Sequence, residues 1–384
     1  MLTERLEFNP ERDAEVFAAV PAGPAVFLLR GENPQAEPYV SKTANLRRRL
    51  HRLLGPVAER TKKLNLRDRV RTVEYSPTGS DFESGFLLYG VLRENFPKTY
   101  QNRLRFRFAP FVKFHLENEY PRMSVTARLG KLNGQSLYYG PFVSRVAAEK
   151  FMNDSLDFFK MRRCVEDLNP DPKFPGCIYS EMKMCLAPCF KGCTDEEYSA
   201  EVKRVQEYFD SAGNSLLRQF SEEREAASAS LQFEDAAAIH TRVEKLKPVL
   251  AQLPEIVQRL DRLSALMIQA SHVAGAVAFF RIESGRIAGP VGFNIQPAEL
   301  TKSQSMEARA QEALQAFPLA KAKSALETME HLALLKRWYY RSSRSGEIFF
   351  ADGDAKGELP MRRVVRGISR VFRGEKPEAE VASG

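Results

Sequence analysis

The stretch "PYVSKTANLRRRL", residues 38–50, contains a short extended segment with a tyrosine, a turn carrying a lysine and an arginine-rich helix. The helix is predicted because leucines recur at helical spacing, with Arg49 at the border of their stripe. The preceding "AVFLL", residues 25–29, predicts a second strand across the polar turn "RGENPQAE". The leucines are Leu46, Leu50, Leu53 and Leu54, and the basic residues on the other helix faces are Arg47, Arg48 and Arg52.

The composition of the whole chain limits its class. Its 384 residues are 43% hydrophobic and 28% charged, which is typical of a folded soluble protein with more than one domain. The formal net charge of +8 favours an acidic partner, nucleic acid before a membrane surface. No apolar run is long enough to span a membrane, and the start "MLTERLEFNPERD" is too charged for a secretory signal. We therefore expect a cytoplasmic protein.

All five cysteines lie between Cys164 and Cys193. This clustering disfavours a secreted disulfide scaffold and suggests one metal centre in a reducing compartment. The spacing does not match the paired knuckles of common zinc sites, and four thiolates suit either zinc or an iron-sulfur cluster. The residues alone therefore predict a metal ligand set and leave the metal open, with a chance cluster of buried cysteines as the alternative.

Composition and periodicity divide the chain into an α/β protein of several units. In the first unit, Arg103, Arg105 and Arg107 alternate with apolar residues, which predicts a strand with one basic face. The predicted segments are an N-terminal extension (1–19), a small mixed-sheet α/β unit (20–110), a linker with the cysteines (111–195), a helical hairpin (196–260), a second small α/β unit (261–350) and a basic, partly disordered tail (351–384).

Five motifs carry a resemblance to a known family. "PAVFLL" followed by "YVSKTANLRRRL" resembles the paired signature of the GIY-YIG nucleases. "YPRMSVTARLGKLNGQSLYYGPFVS", "KMRRC", "MCLAPC" and "FEDAAAIHTRVEKL" follow in the order seen in UvrC, the nuclease subunit of bacterial nucleotide excision repair. The resemblance covers about residues 20–345. It implies a GIY-YIG-like fold for residues 20–110, and DNA and a UvrB-like helicase as partners.

The resemblance also implies a catalytic site. In that family a tyrosine orients or deprotonates a water bound to Mg²⁺ or Mn²⁺, a carboxylate holds the cation, and an arginine neutralises phosphate charge. By position, Tyr39, Lys42 and Arg49 match retained residues of that site.

Other positions depart from the family pattern. Phe27 stands where the first-motif tyrosine is expected, and Leu88 where the metal-binding glutamate is expected. Ala25 and Ser41 replace glycines, and Gln101 corresponds best to the family's asparagine. A phenyl ring has no hydroxyl and a leucine cannot ligate a hard cation, so Mg²⁺ or Mn²⁺ is expected only if activity survives.

We therefore expect a nuclease-like unit that grips DNA without cutting it. Its predicted phosphate contacts are Arg47, Arg48 and Arg52. An active metal-dependent endonuclease making a single incision stays open, because Glu83 or Glu94 on the same predicted helix could replace the missing carboxylate. Two further alternatives are that the Tyr39 ring serves packing only and that the chain is an interaction protein with no nucleic-acid role.

The resemblance extends to the cysteines and the hairpin. It implies a [4Fe-4S] cluster on Cys164, Cys177, Cys185 and Cys189, with zinc as the alternative; Cys193 is a spare thiol or an alternative ligand. It implies docking on a UvrB-like subunit through Phe233, Ala236, Ile239, Val243 and Leu246, although any hairpin helix would show this stripe. We expect the second, ribonuclease-H-like nuclease half of the family to be missing from this chain.

Overall fold

The fold is known from a computed structural model that describes residues 2–33, 35–56, 64–130, 134–295, 304–317, 324–351 and 357–375. The predicted α/β class is confirmed. Three four-stranded sheets lie among the described residues, each belonging to one unit of the chain and each accompanied by helices.

The N-terminal unit has the strand order β1-β4-β2-β3. Every described pair in this sheet is antiparallel, where a mixed sheet was expected. Its elements are β1 (Glu4–Glu7), α1 (Asp13–Ala19), β2 (Ala25–Gly31), β3 (Tyr39–Thr43), α2 (Leu46–Leu54), β4 (Val70–Pro77), α3 (Asp81–Asn95) and α4 (Tyr100–Leu104).

Helix α2 forms as its sequence predicts. The Asn45 side chain caps it by accepting a hydrogen bond from the Arg48 N–H at 2.9 Å. The four leucines of its stripe are buried, and each contributes about 1.5–3 kcal/mol by leaving water. They pack with Phe17 of α1 on one face of the sheet, while α3 covers the other face with Val91.

Two predictions for this unit are wrong. Residues 1–19 are not an extension, because β1 pairs with β4 and Val16 and Phe17 belong to the N-terminal core. The predicted basic strand through Arg103 and Arg107 does not form: α4 ends where Arg105 adopts a left-handed backbone, with φ of 51°.

The middle unit has the strand order β6-β5-β7-β8. Residues 111–195 are not a linker, because Phe111 and Phe114 are fully buried in the largest core of the protein. The predicted hairpin is formed by α8 and α9. The elements are β5 (Phe111–His115), β6 (Arg122–Thr126), β7 (Leu137–Gly140), α5 (Arg145–Leu156), α6 (Ile178–Glu181), α7 (Asp195–Asp210), α8 (Asn214–Ala229), α9 (Phe233–Ala251) and β8 (Gln258–Arg259).

The C-terminal unit has the strand order β11-β10-β9-β12. It includes the helix that was predicted to belong to a separate tail, because Val364 and Ile368 of α12 are fully buried against this sheet. Residues 376–384 of that tail lie outside the described part. The elements are β9 (Ser264–Ala270), β10 (Ala276–Glu283), β11 (Arg286–Asn294), α10 (Met306–Gln315), α11 (Ala325–Tyr339), β12 (Glu347–Phe350) and α12 (Met361–Arg373).

Helix α11 connects the units. It packs between α3 of the N-terminal unit and β11 of its own unit. The largest core joins Phe82 of α3 to Tyr139 of β7 and to Phe280 of β10. In the described ranges, no helix combines the length and apolar character needed to cross a membrane.

Candidate nucleic-acid and metal sites

The structure brings Tyr39, Arg49 and Phe27 together. Arg49 Nη2 on α2 donates to Tyr39 Oη at the start of β3, at 2.8 Å. The Phe27 ring is fully buried, and its centroid lies 6.0 Å from that of Tyr39. Arg49 Nε is buried and has no hydrogen-bond partner within the described part of the chain. A guanidinium next to a hydroxyl is a combination suited to an anionic oxygen, which the remaining Nη donors rather than the buried Nε would have to contact.

Lys42 lies on the other face of the same sheet. Tyr39 pairs with Leu29, and Lys42 pairs with Val26. Directly opposite residues share a face and neighbours along a strand alternate, so an odd separation places Tyr39 and Lys42 on opposite faces. Leu29 belongs to the core under α2, and Val26 to the core under α3. The three retained positions therefore do not form one cluster.

An unpredicted carboxylate lies beside Lys42. Lys42 Nζ donates to Asp81 Oδ1 at 2.5 Å, and Arg341 Nη1 donates to Asp81 Oδ2 at 2.7 Å. Burial raises the pKa of Asp81, but the hydrogen bonds and charges of these two cations outweigh it and hold the pKa below its usual value. Asp81 and Leu88 lie two helical turns apart on one face of α3, and both line a cavity of about 200 Å³ with Lys42.

The two glutamates proposed as substitutes are placed elsewhere. Glu83 is buried and accepts from the Gly79 N–H at 2.8 Å, and burial raises its pKa. Glu94 is exposed, and its position on α3 is well away from the face of Leu88. The helical spacing of seven residues in "DFESGFLL" is a signal that could have pointed to Asp81 instead.

Gln101 is turned away from the sheet. Its Nε2 donates at 2.7 Å to Glu330 Oε1 on α11. Glu330 is fully buried and also accepts from Tyr89 Oη at 2.8 Å and Tyr100 Oη at 2.5 Å. Beside it, burial lowers the pKa of His331 to about 4. This network between α3, α4 and α11 had no signal in the local sequence.

The three predicted phosphate-binding arginines of α2 differ in their contacts. Arg47 Nε donates to the Val20 carbonyl at 3.0 Å and Nη2 to the Ala18 carbonyl at 3.4 Å, at the end of α1. Arg47 therefore has a structural contact that sequence reasoning missed. Arg48 and Arg52 are exposed one turn apart, and neither side chain forms an ion pair with another described residue.

The five cysteines lie on the segment between α5 and α7. Burial raises the pKa of the Cys185 thiol to about 11, and Cys164, Cys189 and Cys177 add to the rise. Burial also raises the pKa of Cys189, again with contributions from Cys177 and Cys164. Cys185 and Cys189 therefore both lie within electrostatic reach of Cys164 and Cys177. Among the cysteines, only Cys189 contributes to the raised pKa of Cys193.

Two features of the segment around the thiols suit a ligated centre: hydrogen bonds to sulfur and left-handed backbone. Arg162 Nη1 donates to Cys164 Sγ at 3.4 Å, and the Ala187 N–H donates to Cys185 Sγ at 3.3 Å. Lys183, Ala187 and Lys191 adopt left-handed backbone, which costs a non-glycine residue about 1 kcal/mol. By residue type, the four thiols suit a four-thiolate centre. In the described ranges, however, no three His, Cys, Asp or Glu side chains are drawn together closely enough to hold a metal.

The hairpin residues fall into two groups. Val243 and Leu246 are buried in the largest core, and Ile239 packs against it, so this part of the stripe is used within the chain. At the tip, Phe233 is 64% exposed and Leu231 is 72% exposed. Ala236 is half-buried next to this tip. Leu231 precedes α9 and was not among the residues predicted to contact a partner.

Residues 109–208 match the family described as "UvrC/Cho excinuclease, middle domain". The middle unit, which contains these residues, is therefore similar to the middle domain of UvrC/Cho excinucleases. The match includes all five cysteines and the start of the helical region.

Similarity to curated relatives covers much of the chain. UvrABC system protein C of Carboxydothermus hydrogenoformans is 26% identical over 70% of this chain and 44% of its own length. The protein of the same name from Alcanivorax borkumensis is 25% identical over 85% of this chain and 56% of its own length. The chain is similar to these UvrC proteins and spans about half their length. No solved structure matches it.

Proposed function

We propose that this chain is a DNA-binding component of nucleotide excision repair, acting in the cytoplasm, whose N-terminal unit grips phosphate without cutting it. The observation that carries the proposal is the Arg49–Tyr39 pair beside Arg48 and Arg52, which are exposed and form no ion pair with the residues that the structure describes. Cations that lack an internal partner can neutralise DNA phosphates and release condensed counterions. The curated relatives are named as components of the UvrABC system, which supports a repair role.

The proposed loss of cutting rests on the missing oxygen ligand. A hard divalent cation needs carboxylate or carbonyl oxygens. Position 88 carries a leucine that packs in a cluster with Leu334, and Phe27 offers no hydroxyl. The nearby Asp81 carboxylate already receives hydrogen bonds from Lys42 and Arg341.

A second candidate function is a metal-dependent endonuclease that makes one incision. One observation favours it: Asp81 places a carboxylate beside Lys42, close to where the family's cation would sit. Binding Mg²⁺ or Mn²⁺ there would require Asp81 to leave at least one of its two cationic partners.

Removing two charges from α2 is expected to weaken duplex binding. In the Arg48→Ala/Arg52→Ala variant, duplex affinity should fall about tenfold, and the salt slope should shrink by about two contacts. The measurement is fluorescence anisotropy of a labelled duplex across a salt series. Lys203→Ala/Lys245→Ala, which removes two exposed cations from α7 and α9, is the matched control and should leave both quantities nearly unchanged. Equal effects of the two variants would contradict a specific grip by α2.

The same preparation tests cutting. Incubation with Mn²⁺ and a lesion-bearing duplex is expected to give no nicks. Metal-dependent nicking that disappears in both Tyr39→Phe and Asp81→Asn would establish the second candidate function. Contaminating nuclease would be unaffected by either substitution.

We further propose that the hairpin tip docks on a UvrB-like subunit. Two large apolar side chains, Leu231 and Phe233, project at the turn between α8 and α9. An apolar anchor on a helical hairpin suits a groove in a partner. The buried Val243 and Leu246 would support the hairpin from below rather than contact the partner.

Truncating the tip is expected to weaken capture of a UvrB-like subunit at least about tenfold, because anchor side chains carry most of the energy of such an interface. The variant is Leu231→Ser/Phe233→Ala, and the measurement is the dissociation constant by biolayer interferometry. Val146→Ala on α5 removes an equally exposed apolar side chain and should have no effect. Unchanged affinity in the tip variant would locate docking elsewhere.

We also propose that Cys164, Cys177, Cys185 and Cys189 hold a [4Fe-4S] cluster, with zinc as the alternative. Cys164 and Cys177 both raise the pKa of Cys185 and of Cys189, and these effects and the two N–H···S hydrogen bonds support this ligand set. Such a centre would fasten the segment between α5 and α7 to the middle unit. Cys193, influenced by one cysteine only, is left out of the set.

A further inference from the structure

Two cavities lie along α11, on the side that faces the N-terminal unit. The first has a volume of about 200 Å³ and the second about 240 Å³. Both are lined by Leu334 and Arg337, so they adjoin one another along the helix. We call them together the α11 groove.

The charge of the α11 groove is strongly one-sided. The ionisable residues that line it are the cations Lys42, Arg107, Lys336, Arg337 and Arg341 and the single acid Asp81. Asp81 is paired with Lys42 and Arg341. The side chains of Arg107, Lys336 and Arg337 form no ion pair in the described ranges. Burial lowers the pKa of Lys336, and the charge of Arg107 lowers it further.

A structural role for the helix end explains only part of this charge. Basic residues in the last turn of a helix stabilise its dipole, which accounts for Lys336 and Arg337. Arg107 lies on the segment between α4 and β5, and the α11 dipole does not account for it. Crowding like charges costs free energy unless an anion lies between them.

The walls of the groove are aromatic and aliphatic. Phe86, Leu88 and Trp338 line the first cavity, and Phe106 lines the second. Phe86 and Phe106 are half-buried, so each presents part of a ring to the groove. Each cavity has room for a single base and neither has room for a duplex. Cations beside aromatic rings are the combination that binds unpaired nucleotides, through phosphate contacts and base stacking.

We propose that the α11 groove binds a single strand of nucleic acid, with phosphates on Arg107, Lys336 and Arg337 and bases against the half-buried rings of Phe86 and Phe106. The inference deepens the proposed function and rests on it, since both take DNA as the ligand. The groove lies along α11, whereas the proposed duplex contacts lie on α2. An unpaired strand would therefore bind at the α11 groove, separately from a duplex bound at α2.

Two labelled probes test the proposal, a short oligothymidine and a duplex of the same length. In the Arg107→Ala/Arg337→Ala variant, single-strand affinity should fall about tenfold or more, with duplex affinity changed less than about twofold. The Arg48→Ala/Arg52→Ala variant should show the reverse. Phe106→Ala should also weaken single-strand binding about tenfold, through lost stacking. Lys203→Ala/Lys245→Ala removes two exposed cations elsewhere and should change neither affinity.

The outcomes separate this inference from the proposed function. If the unaltered chain binds duplex but no oligothymidine, or if the Arg107→Ala/Arg337→Ala variant binds oligothymidine normally, the groove assignment is overturned and the proposed function stands. If the unaltered chain binds neither probe, both fail. Equal circular dichroism spectra and melting midpoints confirm that the exposed arginines were removed without unfolding the chain.

Discussion

Protein purified without oxygen is expected to be brown, with absorbance at about 400 nm, and Cys185→Ser is expected to abolish both colour and bound iron. The reason is that a four-thiolate centre needs four thiolates, and the hydroxyl of the introduced serine is a much poorer ligand for iron. Cys185 is the most strongly affected of the four thiols, with neighbours Cys164, Cys177 and Cys189 all contributing to its raised pKa. The measurements are the visible spectrum and iron content by mass spectrometry.

Cys193→Ser is the matched control. It removes a thiol from the same segment, and the cluster should persist, because Cys193 is influenced by Cys189 alone among the cysteines. A colourless protein with one bound zinc would refute the iron-sulfur proposal and keep the ligand set. Loss of metal on Cys193→Ser, with retention on Cys185→Ser, would overturn the ligand set itself.

Replacing Glu330 by leucine is expected to destabilise the protein by about 3–5 kcal/mol, because buried donors then lose their acceptor. The donors are the hydroxyls of Tyr89 and Tyr100 and the amide of Gln101, at 2.8, 2.5 and 2.7 Å. Leucine preserves most of the volume, so the effect reports the polar contacts more than a cavity. The measurement is the urea midpoint, with the free energy of unfolding by linear extrapolation.

Glu94→Ala is the control for this substitution. It removes an exposed carboxylate from α3 and should change the free energy of unfolding by less than about 0.5 kcal/mol. A loss for Glu330→Leu no larger than that of the control would show that α11 is not fastened to the N-terminal unit by this network. The expected loss would show that Gln101 contributes to stability.

Local pattern was sufficient where the deciding interactions lie close in sequence. The cap and leucine stripe of α2, the antiparallel pairing of β2 with β3, and the hairpin of α8 and α9 follow from spacing and turn chemistry. The opposite facing of Tyr39 and Lys42 also follows from the period of a strand, although reasoning from motifs placed them in one site. The seven-residue spacing that places Asp81 and Leu88 on one face of α3 could also have been recognised in the sequence.

Reasoning from sequence was less successful where an element depends on distant partners. The N-terminal extension and the basic tail were misjudged because β1 and α12 are stabilised by the sheets against which they pack. A stripe such as Ile239, Val243 and Leu246 looks the same whether it faces a partner or the chain's own core. Only burial distinguishes the two.

By itself the sequence determined the class of fold, the excess of positive charge, the clustering of thiols and the absence of a carboxylate at position 88, because each of these is a property of residues and their spacing. Only the tertiary structure decided that Asp81 meets both Lys42 and Arg341, that Gln101 contacts Glu330, and that α11 forms a basic groove with the N-terminal unit. Asp81 and Arg341, like Gln101 and Glu330, are more than two hundred residues apart in the chain. These contacts depend on how whole elements pack, which no local pattern specifies.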